Sequence, residues 1–324
     1  MAQAIRFHKT GGPEVLEWEN VDVGAPGPGE VRVRNTAIGV NFIDTYQRSG
    51  LYPLTLPSGL GTEAAGVVEA VGAGVDWLSA GDRVASCTSP LGAYSTERNV
   101  PADKLVKLPD GIEDRTAAAM MLKGLTVQYL FRQTYPLKAG DTIVFHAAAG
   151  GVGLIACQWA RALGVTMIGT VSSDAKAALA REYGCAHTIV YTRENFVERV
   201  KEITGGKRVP VVYDSIGKDT FPASLDCLSP RGMFVSFGSS SGPVPPLSLM
   251  TLSQKGSLYV TRPTLFTYAA NHAALSAMAS ELFALVQAGK IKPDARQTFA
   301  LKDAAEAHRS LEARKTTGAT LLLP

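Results

Sequence analysis

His146-Ala147-Ala148-Ala149-Gly150-Gly151-Val152-Gly153-Leu154-Ile155-Ala156-Cys157-Gln158 joins two apolar runs of different character. Thr142 to Phe145, before it, is β-type; Leu154 to Leu163 is helical. A glycine-rich turn from strand to helix leaves backbone N–H groups exposed at a helix N-terminus, where unpaired amides and the helix dipole both favour negative charge. Ala148, Gly150 and Gly153 hold the three positions of the dinucleotide fingerprint, with alanine in place of the first glycine. Gly150 lets the backbone approach a pyrophosphate, and Gly153 lets the helix pack close to the strand.

Around this turn the chain alternates between strand and helix. Strands are predicted at 142–146, 165–171, 188–191, 211–214, 233–237 and 257–261, with helices at 175–183 and 195–204 between the earlier ones. That rhythm implies a parallel, doubly wound α/β sheet of the Rossmann type. The first ~120 residues are different: short β-type runs at 30–34, 66–71 and 81–84, among many glycines and prolines, predict a small irregular β-barrel. A helix is expected from Asp114, which suits an N-cap or first-turn acid. A long helix, 271–288, and two short strands, 296–301 and 319–323, close the chain. The strands are too short for a core of their own and are expected to rejoin the N-terminal domain, making the Rossmann unit an insertion.

At 324 residues the chain is long enough for about two domains of ~150 residues. Its 46% hydrophobic and 19% charged content is that of an ordinary globular protein. A formal charge of +3 argues against a dedicated nucleic-acid binder. No apolar run is long enough for a signal peptide core or a membrane span, so the cytoplasm is the expected compartment. The four cysteines, Cys87, Cys157, Cys185 and Cys227, lack Cys-x-x-Cys spacing and are expected as buried free thiols.

In NAD-binding units an acid usually stands about 20 residues past the first glycine, bonded to the ribose 2′-hydroxyl. Here that window reads Ile168-Gly169-Thr170-Val171-Ser172-Ser173, followed by Asp174 and Lys176. Two hydroxyls and an ammonium suit a 2′-phosphate, which a carboxylate would repel, so NADPH is expected. Asp174 is the counter-signal; it lies beyond the strand, where it would cap the helix starting near Ala175. Ser172, Ser173 and Asp174 would all equally serve as plain N-caps.

Together the motifs resemble the medium-chain dehydrogenase/reductase superfamily, and within it the zinc-free, zeta-crystallin-like NADPH:quinone oxidoreductases of bacteria. The likeness spans essentially the whole chain. Its carriers are Gly140-Asp141, Ala148 to Gly153, Gln158 and Arg161, with Val144 for the usual leucine. Asn41-Phe42-Ile43-Asp44-Thr45-Tyr46, Gly61-Thr62-Glu63-Ala64-Ala65-Gly66, Val212-Tyr213-Asp214-Ser215-Ile216-Gly217 and Gly256-Ser257-Leu258-Tyr259-Val260-Thr261-Arg262-Pro263 extend it. The resemblance implies a GroES-like catalytic domain over 1–124 and 266–324, with the Rossmann domain at 125–265 and the reaction in a metal-free cleft between them. Zinc-dependent relatives read Gly-His-Glu where this chain has Gly61-Thr62-Glu63; Asn41 stands where a ligand cysteine is expected. None of the five histidines shows ligand spacing, so no metal is expected.

The resemblance further implies that Asn41, Phe42, Ile43, Asp44, Thr45 and Tyr46 flank the nicotinamide, with Tyr129 near them. Gly150, Gly151 and Val152 would meet the pyrophosphate. Ser172, Ser173, Lys176, Tyr191 and Arg314 would hold the 2′-phosphate end, although Arg314 reads equally as a solvated helix charge. Ser215 and the loop Gly238, Ser239, Ser240 and Ser241 would lie at strand ends; Pro263, Thr264 and Leu265 would close the site. A homodimer through the edge strand between Ser257 and Thr261 is implied as well.

Quinones accept electrons readily, so a metal-free site need only hold the substrate and offer hydrogen bonds to an oxygen gaining charge. Asn41, Tyr46 and Tyr52 are the substrate-contact candidates, and each tyrosine also reads as a structural residue. The residues leave the catalytic proton donor unassigned. An alkenal or enone double-bond reductase shares fold, cofactor and site type. A non-enzyme alternative is the AU-rich RNA binding associated with some relatives, which no basic tract interleaved with aromatics supports here.

Overall fold

The computed structural model describes residues 1–88 and 90–324. The chain divides into two compact units. The first comprises Met1–Leu125, Leu265–Gly289 and Pro293–Pro324, and the second Thr126–Thr264 with Lys290–Lys292. No helix among the described residues is long and apolar enough to cross a membrane.

In the second unit, hydrophobic β-branched runs give six parallel strands in the spatial order His187–Val190, Thr166–Val171, Thr142–Phe145, Val209–Asp214, Leu228–Ser236 and Tyr259–Thr261. This is the doubly wound sheet read from the alternation. Register builds the core: Ile168, Val144, Val212 and Phe234 align across four strands, and all are 0% exposed. Another row packs aromatically, with the Phe145 and Tyr213 ring centroids 5.7 Å apart and Phe131 5.3 Å from Tyr213. Because the strands are parallel, the turns after Phe145, Val171, Val190, Asp214 and Ser236 collect along one sheet edge, where such folds bind ligands.

Several bounds moved. His146, expected to end the first of these strands, lies just beyond it, buried between Thr170 Oγ1 at 2.8 Å and Ser224 Oγ at 2.9 Å. The fifth strand starts at Leu228, not 233, and accommodates Arg231 at φ +61. Lys290–Lys292 group with this unit through Gln158, which accepts from the Lys292 N–H at 2.8 Å and donates to its carbonyl at 3.2 Å.

The first unit is built on the long strand Glu30–Val40. It pairs antiparallel with Ala64–Val71, Glu97–Pro101 and, from the far end of the chain, Ala319–Leu323. Its side chains feed two cores: Val31 and Val33 join Val68, Val84 and Val100, whereas Ile38 and Val40 join Ile5, Phe7, Leu60 and Leu322. The helix Asp114–Tyr129 begins at Asp114, whose carboxylate accepts from Arg83 at 2.6 Å and Thr36 Oγ1 at 2.7 Å. The helix His272–Gln287 is capped by Asn271, which accepts from the Ala274 N–H at 2.9 Å.

Candidate functional site

The helix Gly151–Leu163 opens at Gly150 with no side-chain cap, so its first amides carry no protein side-chain partner there. Gly153 is required sterically: a Cβ there would sit 2.4 Å from the Ala147 carbonyl oxygen. At Gly150 the nearest atom to such a Cβ is that same oxygen, at 3.3 Å, so the space in front of the turn is nearly open. The first fingerprint position is occupied by Ala148, packed on Gly169, where a Cβ would lie 2.5 Å from the Ala148 methyl. Ala147 turns the chain at φ +56, a conformation the sequence pattern did not reveal in a non-glycine residue.

One strand further on, Ser173 caps the helix Asp174–Glu182 by accepting from the Lys176 N–H at 3.3 Å. Asp174 is therefore not the cap. Its carboxylate binds Arg193, which the sequence reading had not singled out, at 2.6 and 2.5 Å. This pairing pulls the Asp174 carboxyl below its usual range. Tyr191 is exposed beside Arg193 in sequence, and its N–H donates to the Val171 carbonyl at 3.1 Å. Ser172 and Lys176 are half-buried in the same corner.

Ser215 and the loop at 238–241 are brought together. The Ser240 N–H donates to the Ser215 carbonyl at 3.1 Å, and the Ser241 N–H to that of Ile216 at 2.9 Å. A Cβ at Gly238 would lie 2.6 Å from the Ser215 oxygen, so only glycine allows this approach. Arg262 secures the loop, donating to Gly238 O at 2.8 Å and Ser236 Oγ at 3.0 Å. Nothing in the sequence around Arg262 signals this role, because its partners lie more than 20 residues away. Pro263 is half-buried, Thr264 exposed and Leu265 buried; Tyr129 is buried at the end of its helix.

In the first unit, Asn41 precedes the helix Phe42–Ser49, and its N–H donates to Asp44 Oδ2 at 2.8 Å. Asp44 also accepts from the Tyr94 hydroxyl at 2.8 Å, yet burial pushes its carboxyl up to about 7. Tyr46 and Tyr52 meet edge to face at 5.4 Å, and the Tyr52 N–H donates to the Tyr46 carbonyl at 3.0 Å. Phe42 packs on Tyr46 at 6.3 Å; Ile43 is half-buried and Thr45 buried. Behind Asn41 lies a pair that the sequence reading missed. Glu63, wholly buried, accepts from Asn41 Nδ2 at 2.8 Å, from Lys123 Nζ at 2.7 Å and from the Leu122 N–H at 2.8 Å. Arg314 is exposed at φ +56 in this same unit.

Residues 27–110 match the alcohol dehydrogenase GroES-like domain, and residues 151–281 the zinc-binding dehydrogenase domain. A quinone oxidoreductase of Pseudomonas aeruginosa is 62% identical, with 100% of both chains covered. A 2-haloacrylate reductase of a Burkholderia species is 51% identical over 100% of this chain and 99% of its own. The crystal structure of the Escherichia coli quinone oxidoreductase complexed with NADPH superposes with a TM-score of 0.98 at 55% identity, covering 99% of this chain and 100% of that one. The chain belongs to the quinone oxidoreductase family of the medium-chain dehydrogenase/reductase superfamily.

In this oxidoreductase the matched domain name raises the question of zinc, and the donor set around Glu63 does not fit it. The residue beside the carboxylate is an ammonium, and the Asn41 amide presents its N–H groups, not a lone pair, to Glu63. A dication there would face Lys123 directly. Among the described residues, the one group of three His, Cys or carboxylate ligand atoms within 4.8 Å of one another is His8, Glu17 and Glu19, all partly exposed to exposed.

Proposed function

We propose that this chain binds NADPH and uses it to reduce quinones at a site without a metal ion. The observation that carries the reading is the corner at Ser173, Lys176 and Asp174. There the Asp174 carboxylate is bound to Arg193, and the hydroxyls and cations of the corner suit a 2′-phosphate. The open space at Gly150 and the uncapped first helical turn fit a pyrophosphate. The NADPH-complexed relative supports the same cofactor.

In the second unit, Gly150, Gly151 and Val152 would hold the pyrophosphate, and Ser172, Ser173, Lys176 and Tyr191 the 2′-phosphate; Arg314, in the first unit, is a further candidate for that phosphate. Ser215, Gly238 to Ser241 and Pro263 to Leu265 would border the cofactor. In the first unit, Asn41 to Tyr46 would meet the nicotinamide end, and Tyr129 would add a contact from the second. NADPH supplies a hydride when bound. The protein's part is to orient the substrate ring against the Tyr46 and Tyr52 edge-to-face pair and to place hydrogen-bond donors at the oxygen that gains charge.

A second reading, reduction of an activated carbon–carbon double bond, is favoured by the 51% identity to the 2-haloacrylate reductase. Steady-state NADPH oxidation with 1,4-benzoquinone, 2-hexenal and 2-chloroacrylate separates the two. A higher kcat/KM for the quinone is expected; a large preference for either alkene transfers the assignment to the second reading.

We also propose that two copies associate through the edge strand Tyr259–Thr261. It pairs on one side only, with Met233 to Val235, and leaves Tyr259 and Val260 at 59% and 40% exposure.

A further inference from the structure

We infer that Lys123 is the hydrogen-bond donor for the substrate oxygen on which negative charge builds during reduction, and that Glu63 and Asn41 act as positioning residues for its ammonium. This rests on the reductase reading above and assigns a residue to the donor role that reading leaves open.

Glu63 lies at the centre of this arrangement. Its side chain is 0% exposed, and both oxygens are filled: Oε1 by the Leu122 N–H, Oε2 by Asn41 Nδ2 and Lys123 Nζ. The carboxylate is pressed onto bare backbone, since a Cβ at Gly39 would fall 2.1 Å from Glu63 Oε2. A carboxylate so saturated is neither a free base nor a ligand. It is an anchor. Asn41 is spent in the same way, with Nδ2 donating to Glu63 and, at 3.4 Å, to the Gly39 carbonyl. Its amide hydrogens therefore drop out as donors to a substrate.

Lys123 is not spent. An ammonium carries three donors, and among the described residues the one acceptor recorded for Nζ is Glu63 Oε2. The side chain is 5% exposed, so bulk water does not readily supply the rest. A buried ion pair is weak evidence of a stabilising role, because its replacement by well-packed apolar side chains is often neutral or stabilising. A charge held this way, with donors to spare, is suited to an acceptor that arrives with the substrate. Its placement agrees: Asn41, the N-cap of the helix that carries Tyr46, donates to the same Glu63 Oε2 that accepts from Lys123 Nζ.

When a quinone takes up a hydride equivalent it becomes a hydroquinone monoanion, with the new charge on oxygen. An N–H···O bond from a cation strengthens as that charge forms, and such charge-assisted bonds are about twice as strong as those between neutral groups. Lys123 keeps its proton in this step, so no bond to it is made or broken. The tyrosines are left to hold the ring.

The test uses the full chain with Glu63→Gln and Lys123→Met combined, so that no lone charge is left buried. If Lys123 donates, the double variant stays folded by circular dichroism and keeps its NADPH affinity by fluorescence titration, while kcat with 1,4-benzoquinone falls about 100-fold and KM changes little. A double variant that folds and retains kcat within about threefold would show that Lys123 merely neutralises Glu63. An independent readout uses 4-nitrophenol as an oxyanion probe, followed by its phenolate absorbance on the unaltered chain. Bound phenol is expected to ionise about tenfold more readily than free phenol. Equal ionisation overturns the proposal even if the variant fails to fold. If the unaltered chain shows no NADPH-dependent quinone turnover, the reductase reading falls, and the phenol measurement still judges Lys123 separately.

Discussion

Arg193 grips Asp174 through two parallel contacts, Nη1 to Oδ2 at 2.6 Å and Nη2 to Oδ1 at 2.5 Å. Both side chains are well exposed, so the pair adds little to folding. Its consequence is local: the carboxylate nearest the Ser173 cap is neutralised. Removing the guanidinium leaves a bare carboxylate beside the proposed 2′-phosphate position. Arg193→Ala is therefore expected to weaken NADPH binding about tenfold, as is Lys176→Ala, with NADH affinity little changed. Fluorescence titration with both nucleotides checks this. Unchanged NADPH affinity in both variants would sink the 2′-phosphate assignment.

Gly150 and Gly153 lie three residues apart and are expected to fail differently. Gly153→Ala drives a methyl to 2.4 Å from the Ala147 oxygen, in backbone that has no room to yield. A loss of about 1–3 kcal/mol in stability is expected, visible as a lowered Tm. Gly150→Ala meets that oxygen at 3.3 Å, which the turn can absorb by a small shift. Its Tm should stay close to that of the unaltered chain, while NADPH affinity drops because the methyl occupies the approach to the helix amides. Equal Tm losses in the two variants would contradict this division.

The sheet of the second unit was legible because most of its strands are short apolar runs followed by turn residues, as parallel strands buried on both faces read; the fifth, with Pro230, Arg231 and Gly232 inside it, was legible only in its second half. The fingerprint turn was legible for the same reason that it works: Gly153 has no steric alternative. What stayed hidden depends on distance along the chain. Lys123 lies 60 residues from Glu63, inside an apolar helical stretch that reads as ordinary core. Arg193 lies 19 residues from Asp174, across a strand. Neither pair leaves a local pattern, since an ion pair made by tertiary packing has no period. Ala147 at φ +56 was hidden because alanine carries no signal for a left-handed turn.

Asp44 makes part of the stability depend on pH. Its carboxyl is raised from 3.8 to about 7, chiefly by burial, with the Asn41 N–H, the Tyr94 hydroxyl and Lys123 pulling the other way and Glu63 adding to the rise. The folded chain thus holds this proton more tightly than the unfolded one. Its contribution to stability is full below about pH 4 and is lost as pH rises towards 7. Asp44 Oδ1 has no hydrogen-bond partner recorded among the described residues, and an asparagine can keep the accepting oxygen while losing the charge. Asp44→Asn is expected to gain Tm relative to the unaltered chain between pH 5 and pH 8, by at least about 2 °C. A constant Tm difference across that range would mean that Asp44 is ionised throughout.

The edge strand Tyr259–Thr261 is three residues long and pairs with its sheet on one side only. Short edges aggregate less than long ones, but here Tyr259 and Val260 are exposed, as are Leu249 and Met250 ten residues earlier in the chain, at 79% and 62% exposure. A two-fold pairing of this edge with its copy would cover the apolar groups and satisfy the backbone at once, and in such an interface each substituted residue meets the same patch on the other copy. Val260→Lys then places like charges across the axis without touching the core. Light scattering after size exclusion is expected to give twice 34.2 kDa for the unaltered chain and 34.2 kDa for the variant. A variant that keeps the doubled mass would place the interface elsewhere, and an unaltered chain of 34.2 kDa would refute the association itself.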